Sequence, residues 1–405
     1  MSSVTTIPGV DENAPTVATE SSRPQLAICL PSMTTEAQQA MQASIAAAFP
    51  SDAVLVISPD HELQTDPASP TKSAVFTGHR STLRWTLAAS DYLTAGEVAR
   101  NFDTPYVLLL NDESVTPEFL HSIVTHATQD NIDLTVPRYA LGPHEGLLSA
   151  ALLYPFSRSL FASDIRFPLP LNAMLSRRAA ERLSLAVQRG AGKVQSDTLL
   201  WPIAEAATAN LSVREFEAGS RSLPQPSEAE FHSLFINIAS SLFSDLEAKA
   251  SFWQRARTLP MSPGRNVSPA PDRQANPADV TPFIDGFRIA YANLLEVWSL
   301  VLPPQSLLAL KKLSASSPEN FQLAPDLWAR IAFDFFLAYH LRSMNRGHLL
   351  GAFTSLYLAW VASYIHSAGN DPARASLLVE QTAVAFERER PYLLSRWRWP
   401  DRFNP

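Results

Sequence analysis

The first half of the chain alternates apolar runs of strand length with longer segments of helical periodicity. Strands are predicted at about residues 26–30, 53–58, 106–110, 132–139 and 211–216. Such alternation is typical of βα units that build a mostly parallel sheet with helices on its faces. The sequence therefore predicts a Rossmann-like α/β fold for this half.

The second half, from residue 282 onward, has a helical pattern throughout. Helices are predicted at about residues 283–301, 305–314, 325–346, 348–367 and 371–390. Residues 1–24, rich in Ser, Thr, Pro and Glu, are predicted to be a disordered tail, and the proline-rich residues 258–281 a linker. We thus expect an α/β domain at 25–257 and an all-helical domain at 282–405.

Composition limits the class of protein and of partner. Of 405 residues, 46% are apolar and 18% charged, which is ordinary for a globular protein. The formal charge is -7 and no Lys/Arg cluster occurs, so nucleic acid is excluded as a partner. Residues 349–365 are uncharged but reach only the short limit for a membrane span, and the first residues lack the pattern of a secretory signal. We expect a cytoplasmic protein without a membrane span.

A polar triplet follows the clearest strand. Asn111, Asp112 and Glu113 come directly after the run at 106–110. Ligands of open α/β sheets bind beyond the carboxyl ends of the strands. Two carboxylates and an amide there could hold Mg²⁺ or Mn²⁺ together with a diphosphate. A polar turn that caps the next helix is the alternative, and both stay open.

Two further groups of residues could bind a ligand. Asp197 follows a glycine-containing loop and either caps a predicted helix over about 196–209 or faces a ligand. On the predicted helix 325–346, Arg342 and Arg346 are four residues apart, close to His340, and could hold a phosphate or carboxylate. A solvated charged face is the alternative. Dinucleotide, P-loop, serine-hydrolase and zinc motifs do not occur in the sequence.

Short motifs spread along the chain resemble one enzyme family. They are Tyr154-Pro155, Arg158-Ser159-Leu160-Phe161, Ile165-Arg166, Leu175-Ser176-Arg177, Asp197-Thr198, Val213-Arg214-Glu215, Leu327-Trp328-Ala329-Arg330 and Tyr339-His340. Together they resemble bacterial retaining glycosyltransferases similar to glucosyl-3-phosphoglycerate synthase and mannosylglycerate synthase. The resemblance covers roughly residues 25–257 and 282–370.

The resemblance implies a GT-A fold, in which an Asp-x-Asp motif binds the metal and diphosphate of a nucleotide sugar. It implies metal ligands at Asn111, Asp112 and Glu113, with Mg²⁺ or Mn²⁺ as cofactor. The roles it implies for other residues are donor binding at Pro31, Ser32, His79, Arg80 and Asp112, catalysis at Asp197 and Arg80, and binding of a small acidic or glycan acceptor at Asn172, His340, Arg342 and Arg346.

The chain departs from the family pattern at four places. The first acidic metal ligand is an amide, Asn111, and the family lysine near the nucleotide is His79. The acceptor loop lacks its glycines and carboxylate around Asn172, and the histidine expected near residues 219–221 is missing, with His232 or His340 as substitutes. Three hypotheses therefore stay open: a metal-dependent glycosyltransferase, a degenerate GT-A-like protein that binds a nucleotide sugar or a partner enzyme without turnover, or an unrelated α/β protein. The apolar helices at 325–367 also leave a homo-oligomer open.

Overall fold

The computed structural model describes residues 24–59, 71–76, 81–112, 115–189, 197–223, 228–255 and 279–399. Residues 1–23 of the predicted tail and residues 258–278 of the predicted linker lie outside these ranges. Of the predicted site residues, His79, Arg80 and Glu113 also lie outside them.

One sheet of seven strands organises the first half of the described chain. The strands are β1 (Leu26–Cys29), β2 (Val54–Ser58), β3 (Lys72–Val75), β4 (Tyr106–Leu109), β5 (Leu134–Ala140), β6 (Ala173–Ser176) and β7 (Val213–Ser220). Their order is β3-β2-β1-β4-β6-β5-β7, and only β6 runs antiparallel to its neighbours. All other strands therefore end at one edge, and the chain reverses its direction of strand addition between β1 and β4.

Helices cover both faces of the sheet. They are α1 (Thr35–Ala48), α2 (Ala89–Asn101), α3 (Pro117–Thr128), α4 (Tyr154–Phe161), α5 (Arg177–Arg189), α6 (Pro202–Thr208), α7 (Glu228–Ala248) and α8 (Ala250–Trp253). Side chains alternate along β1, so that Ala27 packs toward α2 and α5 while Leu26 and Ile28 pack toward α1 and α3. A sheet buried on both faces needs such continuous apolar strands.

The second half of the described chain is helical, as predicted. Its helices are α9 (Thr281–Ser299), α10 (Pro304–Ser314), α11 (Pro325–Leu341), α12 (Arg346–Ala368) and α13 (Pro372–Arg398). They share one apolar core with α4, α7 and α8, in which Phe156 of α4 packs against Phe333 and Phe386. The expected fold class, a Rossmann-like α/β part followed by a helical part, is confirmed.

Two predicted helices differ from the structure. The predicted helix 325–346 is two helices, because α11 ends at Leu341, Arg342 adopts a left-handed conformation with φ 52°, and Asn345 caps α12 by accepting from the backbone of Gly347 and His348. Arg342 and Arg346 therefore do not share a helix face. The helix expected to begin at Asp197 begins at Pro202, so Asp197 is not its N-cap.

Among the described helices, α12 is long and apolar enough to cross a membrane by composition alone. Inside the protein, 78% of its apolar window is buried, and core helices of globular proteins pass the same test.

Candidate functional site

A cleft lies beyond the carboxyl ends of β1, β2 and β4, where the strand order reverses. It encloses about 570 Å³ of empty space, open solvent included, and Pro31, Ser32, Ser81, Asp91 and Asn111 are among its lining residues. Loops and helix N-termini converge at this point of an open α/β sheet, and ligands bind there. The structure thus brings Pro31 and Ser32, predicted to bind the donor, to the same cleft as Asn111.

Asn111 uses its side chain to fix the wall of the cleft. Its amide nitrogen donates to the backbone carbonyls of Leu83 (2.8 Å) and Thr86 (2.9 Å). Its backbone N–H donates to Oδ1 of Asn172 at 2.9 Å. Both amide hydrogens of Asn111 therefore hold the segment that precedes α2.

Asp112 pairs with a guanidinium that the sequence patterns did not single out. Nη1 of Arg221 donates to Oδ2 of Asp112, and the two side chains are 22% and 11% exposed. Arg221 follows β7, and its backbone N–H donates to the carbonyl of Ala140 at 3.1 Å. Its guanidinium lies 5.2 Å from the ring centroid of Tyr139. The carboxyl ends of β4, β5 and β7 thus meet at this ion pair.

The Arg221 guanidinium is only partly satisfied. Its Nε is buried and has no hydrogen-bond acceptor within the described part of the chain. Burial also lowers the pKa of Arg221 below its ordinary value, because water is removed from the charged group. A buried donor without an acceptor costs free energy unless a ligand supplies one.

Asn172 connects the two sides of this arrangement. It is fully buried; its Oδ1 accepts from Asn111 and its Nδ2 donates to the hydroxyl of Tyr139 at 3.0 Å. Burial raises the pKa of Tyr139 to about 12, so the phenol stays protonated at neutral pH. The protein itself uses both ends of Asn172, a residue that the family resemblance assigned to the acceptor.

Asp197 and Asp91 place two carboxylates beside the cleft. Asp197 accepts from the backbone N–H (2.7 Å) and hydroxyl (2.6 Å) of Thr82 and from the hydroxyl of Ser81 (3.3 Å), and these bonds lower its pKa. Asp91 accepts from the backbone N–H of Ala88 at 2.7 Å, and burial raises its pKa to about 6. Asp197 is therefore ionised at neutral pH and tied to the wall of the cleft.

Two of the predicted acceptor residues of the helical part, His340 and Arg346, contact the same carboxylate, that of Glu247. His340 Nδ1 lies 3.0 Å from Glu247, and the His340 ring stacks on Trp397 with centroids 4.0 Å apart. Arg346 donates to the same carboxylate at 2.9 Å and lies 3.9 Å from the ring centroid of Tyr339. These contacts join α7, α11, α12 and α13.

The described residues do not fit a divalent metal at the end of β4. Mg²⁺ and Mn²⁺ take oxygen ligands, most often carboxylates. Asp112 is already paired with Arg221, and the amide nitrogen of Asn111 is turned to two carbonyls. Within the described ranges no three His, Cys, Asp or Glu side chains are grouped closely enough to hold a metal. The cation at this position is a guanidinium.

A second cavity lies between the sheet and the helical part. It encloses about 690 Å³ of empty space, open solvent included, and Arg138, Tyr139, Arg166, Tyr364 and Ser376 are among its lining residues. The hydroxyl of Tyr139 reaches Asn172, which in turn holds Asn111 of the first cleft. The two cavities are therefore linked by two hydrogen bonds through the buried side chain of Asn172.

Two arginines are among the residues that line the second cavity. Arg138 donates to Glu217 at 2.7 Å and lies 3.7 Å from Glu215, and Arg166 donates its backbone N–H to Glu215 at 2.8 Å. Burial raises the pKa of Glu215 to about 7. Arg166 also donates to Ser376 of α13 at 3.4 Å. No sequence pattern singled out Arg138, because its partners Glu215 and Glu217 come from a distant segment of the chain.

No protein-family model matches the chain, and no curated protein matches it either. Solved structures with a detectable likeness include a mycobacterial protein, at 12% identity and TM-score 0.35, covering 56% of this chain and 75% of that one. Glucosyl-3-phosphoglycerate synthase from Mycobacterium tuberculosis, in complex with Mn²⁺ and UDP-glucose, has 13% identity and TM-score 0.31, covering 56% and 79%. The same enzyme with Mg²⁺ and UDP has 14% identity and TM-score 0.31, covering 56% and 80%. The chain is thus distantly similar to this synthase.

Proposed function

We propose that this protein is a glycosyltransferase that moves a sugar from a nucleotide-sugar donor to a small acidic acceptor. The observation that carries the proposal is the pair of linked cavities. One lies at the reversal of strand order, and the other, lined in part by two arginines, lies between the two parts of the chain. The motifs that resemble retaining glycosyltransferases support the donor class and retention of the anomeric configuration.

In this proposal the nucleotide occupies the cleft between Pro31, Ser32 and Asn111. Asp197 lies next to it through Ser81, and as an ionised carboxylate it accepts hydrogen bonds from the hydroxyls of the bound sugar. Holding the sugar and the acceptor in fixed positions removes much of the entropic barrier to the transfer.

The acceptor occupies the second cavity. Arg138 and Arg166 bind its carboxylate or phosphate, since guanidinium groups match the planar or tetrahedral oxygens of such anions. Its hydroxyl then faces the donor along the side of Tyr139.

The first test is stabilisation of the folded protein by donors. UDP-, GDP- and ADP-sugars are added singly, with EDTA or with Mg²⁺ or Mn²⁺, and the unfolding temperature is measured. A ligand that binds only the folded state raises it. An increase for one nucleotide class supports the donor site, and no increase with any donor under any condition rejects the proposal.

The second test measures transfer to an acidic acceptor. With the donor found above, product from glyceric or phosphoglyceric acid is measured by mass spectrometry, and its anomeric configuration by NMR. Arg138→Gln is expected to raise KM for the acceptor about tenfold or more with little change in kcat, as expected for loss of a charge-assisted bond. Arg374→Gln, an exposed residue on α13, is the matched control and is expected to leave both constants unchanged.

A second candidate function is favoured by the side chains near the end of β4, which already form hydrogen bonds or ion pairs within the protein. Asn111, Asp112 and Asn172 are all engaged within the protein, as in a GT-A-like protein that binds a nucleotide sugar without turnover. Donor binding without product from any acidic acceptor would favour this function over transfer.

A further inference from the structure

The charge balance of the cleft requires a cation. Asp91 lines it, Asp197 accepts a hydrogen bond from Ser81 of its wall, and Asp112 follows Asn111 in the chain. A nucleoside diphosphate adds further negative charge. The carboxylates and the phosphates repel one another, and the repulsion is strong where water is excluded. A diphosphate can bind only if positive charge is close to its oxygens.

Two guanidinium groups of the described chain contact the wall of this cleft or the carboxylate that follows Asn111. Arg84 donates to the carbonyl of Ser32 at 3.0 Å but is exposed, so solvent screens its charge. Arg221 is mostly buried, pairs with Asp112 and stacks on Tyr139. Screening is weaker for the buried group, so Arg221 exerts the stronger field at the end of β4.

The geometry around Arg221 leaves one part of the guanidinium without an acceptor. Nη1 is occupied by Asp112, which fixes the position of the group, while the buried Nε has no acceptor within the described ranges. A planar guanidinium can hold a carboxylate on one edge and a phosphate on another. A phosphate oxygen at Nε would satisfy the donor that the protein leaves unpaired.

We propose that Arg221 replaces the divalent metal of this site, so that the diphosphate of the donor binds to a guanidinium positioned by Asp112 and Tyr139, and binding needs no metal. This proposal rests on the proposed donor site. It assigns Asp112 a different role from the one expected from the sequence: the carboxylate positions Arg221 instead of coordinating a metal ion.

The experiment measures affinity for UDP, GDP, ADP and inorganic pyrophosphate by calorimetry, in EDTA and in Mg²⁺ or Mn²⁺. We expect one of the nucleotides to bind equally well under both conditions. Arg221→Gln is expected to weaken that binding about 10- to 100-fold, the loss typical of a hydrogen bond from a charged group. Arg221→Lys keeps the charge without the planar fork and is expected to lose less.

Two further variants distinguish diphosphate binding by Arg221 from a purely structural role of its ion pair with Asp112. Arg214→Gln is the matched control, because Arg214 lies on β7, the strand that Arg221 follows, and also pairs with an aspartate, Asp130. It is expected to bind as the wild type does. Asp112→Asn keeps Arg221 and is expected to retain metal-free binding within a few-fold, whereas the loss of a metal ligand would abolish metal-dependent binding. Circular dichroism checks that each variant is folded.

The outcomes distinguish the two proposals. Binding that requires Mg²⁺ or Mn²⁺ and is lost in Asp112→Asn overturns the guanidinium proposal and leaves the donor site standing. Binding in EDTA that Arg221→Gln does not weaken also overturns it. Absence of binding for every nucleotide under every condition overturns the donor site itself. The wild-type comparison of EDTA with metal depends on no variant, so a misfolded variant does not remove the test.

Discussion

The packing of α2 on α5 depends on a glycine. Gly96 is buried in α2, and a Cβ atom added there would lie 2.4 Å from Cβ of Ser184, 2.7 Å from its Oγ and 3.0 Å from the carbonyl oxygen of Ala180. Non-bonded carbon atoms are in ordinary contact at about 3.5–4.0 Å. The side chain of alanine therefore cannot be added unless the two helices move apart.

The size of the effect follows from two opposing contributions. Alanine in a helix interior is favoured over glycine by about 1 kcal/mol. Overpacking a core costs about 1–3 kcal/mol, and here the cost is at the upper end because a backbone carbonyl takes part in the clash. Gly96→Ala is therefore expected to lower the free energy of unfolding by roughly 2 kcal/mol.

Urea unfolding followed by circular dichroism and tryptophan fluorescence measures this change. Gly286→Ala is the matched control, because Gly286 is also helical but its added Cβ would meet nothing within 4 Å. We expect that variant to be stabilised by up to about 1 kcal/mol. If Gly96→Ala is as stable as the wild type or more stable, the helices do not pack as described.

A double-mutant cycle identifies the clashing atom. Ser184→Gly removes the nearest Cβ and is expected to recover part of the loss in the Gly96→Ala background, with a coupling energy of about 1 kcal/mol. Ser184→Ala keeps that Cβ and is expected to recover little. Equal recovery by the two substitutions would place the conflict at the hydroxyl instead.

Three other substitutions test the site and its supports. Arg158→Met is expected to destabilise by about 3–5 kcal/mol, because it leaves three carboxylates without the buried cation that pairs with them; a urea-unfolding loss below about 1 kcal/mol would contradict this. Asn172→Leu leaves the backbone N–H of Asn111 and the hydroxyl of Tyr139 without partners and is expected to cost at least about 1 kcal/mol for each in the same assay, whereas a neutral result would refute it. Burial raises the pKa of Glu215 from 4.5 to about 7, so the folded state binds a proton that the unfolded chain releases, and the free energy of unfolding falls as pH rises through that range. Glu215→Gln is expected to flatten that slope between pH 5 and pH 8, and an unchanged slope would exclude Glu215 as its source.

Local patterns predicted the long elements but not the short ones. The apolar runs that became β1, β2 and β4 are continuous because both faces of those strands are buried. The strand β3 was missed because it is short and only partly buried. The strand β6 was missed because it has only four residues, too few for a periodic pattern. A helix boundary was also missed where the left-handed Arg342 ends α11 and Asn345 caps the start of α12.

For the candidate site, too, one part was predictable from the sequence and another was not. The sequence by itself determined that Asn111 and Asp112 lie at the end of a buried strand, because the strand is encoded by a continuous apolar run beside them. It could not determine that Asp112 meets Arg221, which is 109 residues away in the chain. That contact depends on the order of β4, β6, β5 and β7 and on a register shift between Arg138 and Ala140 that brings Ala140 opposite Ser220. Register and strand order are set by the packing of the whole sheet, so only the tertiary structure decided which cation stands at the end of β4.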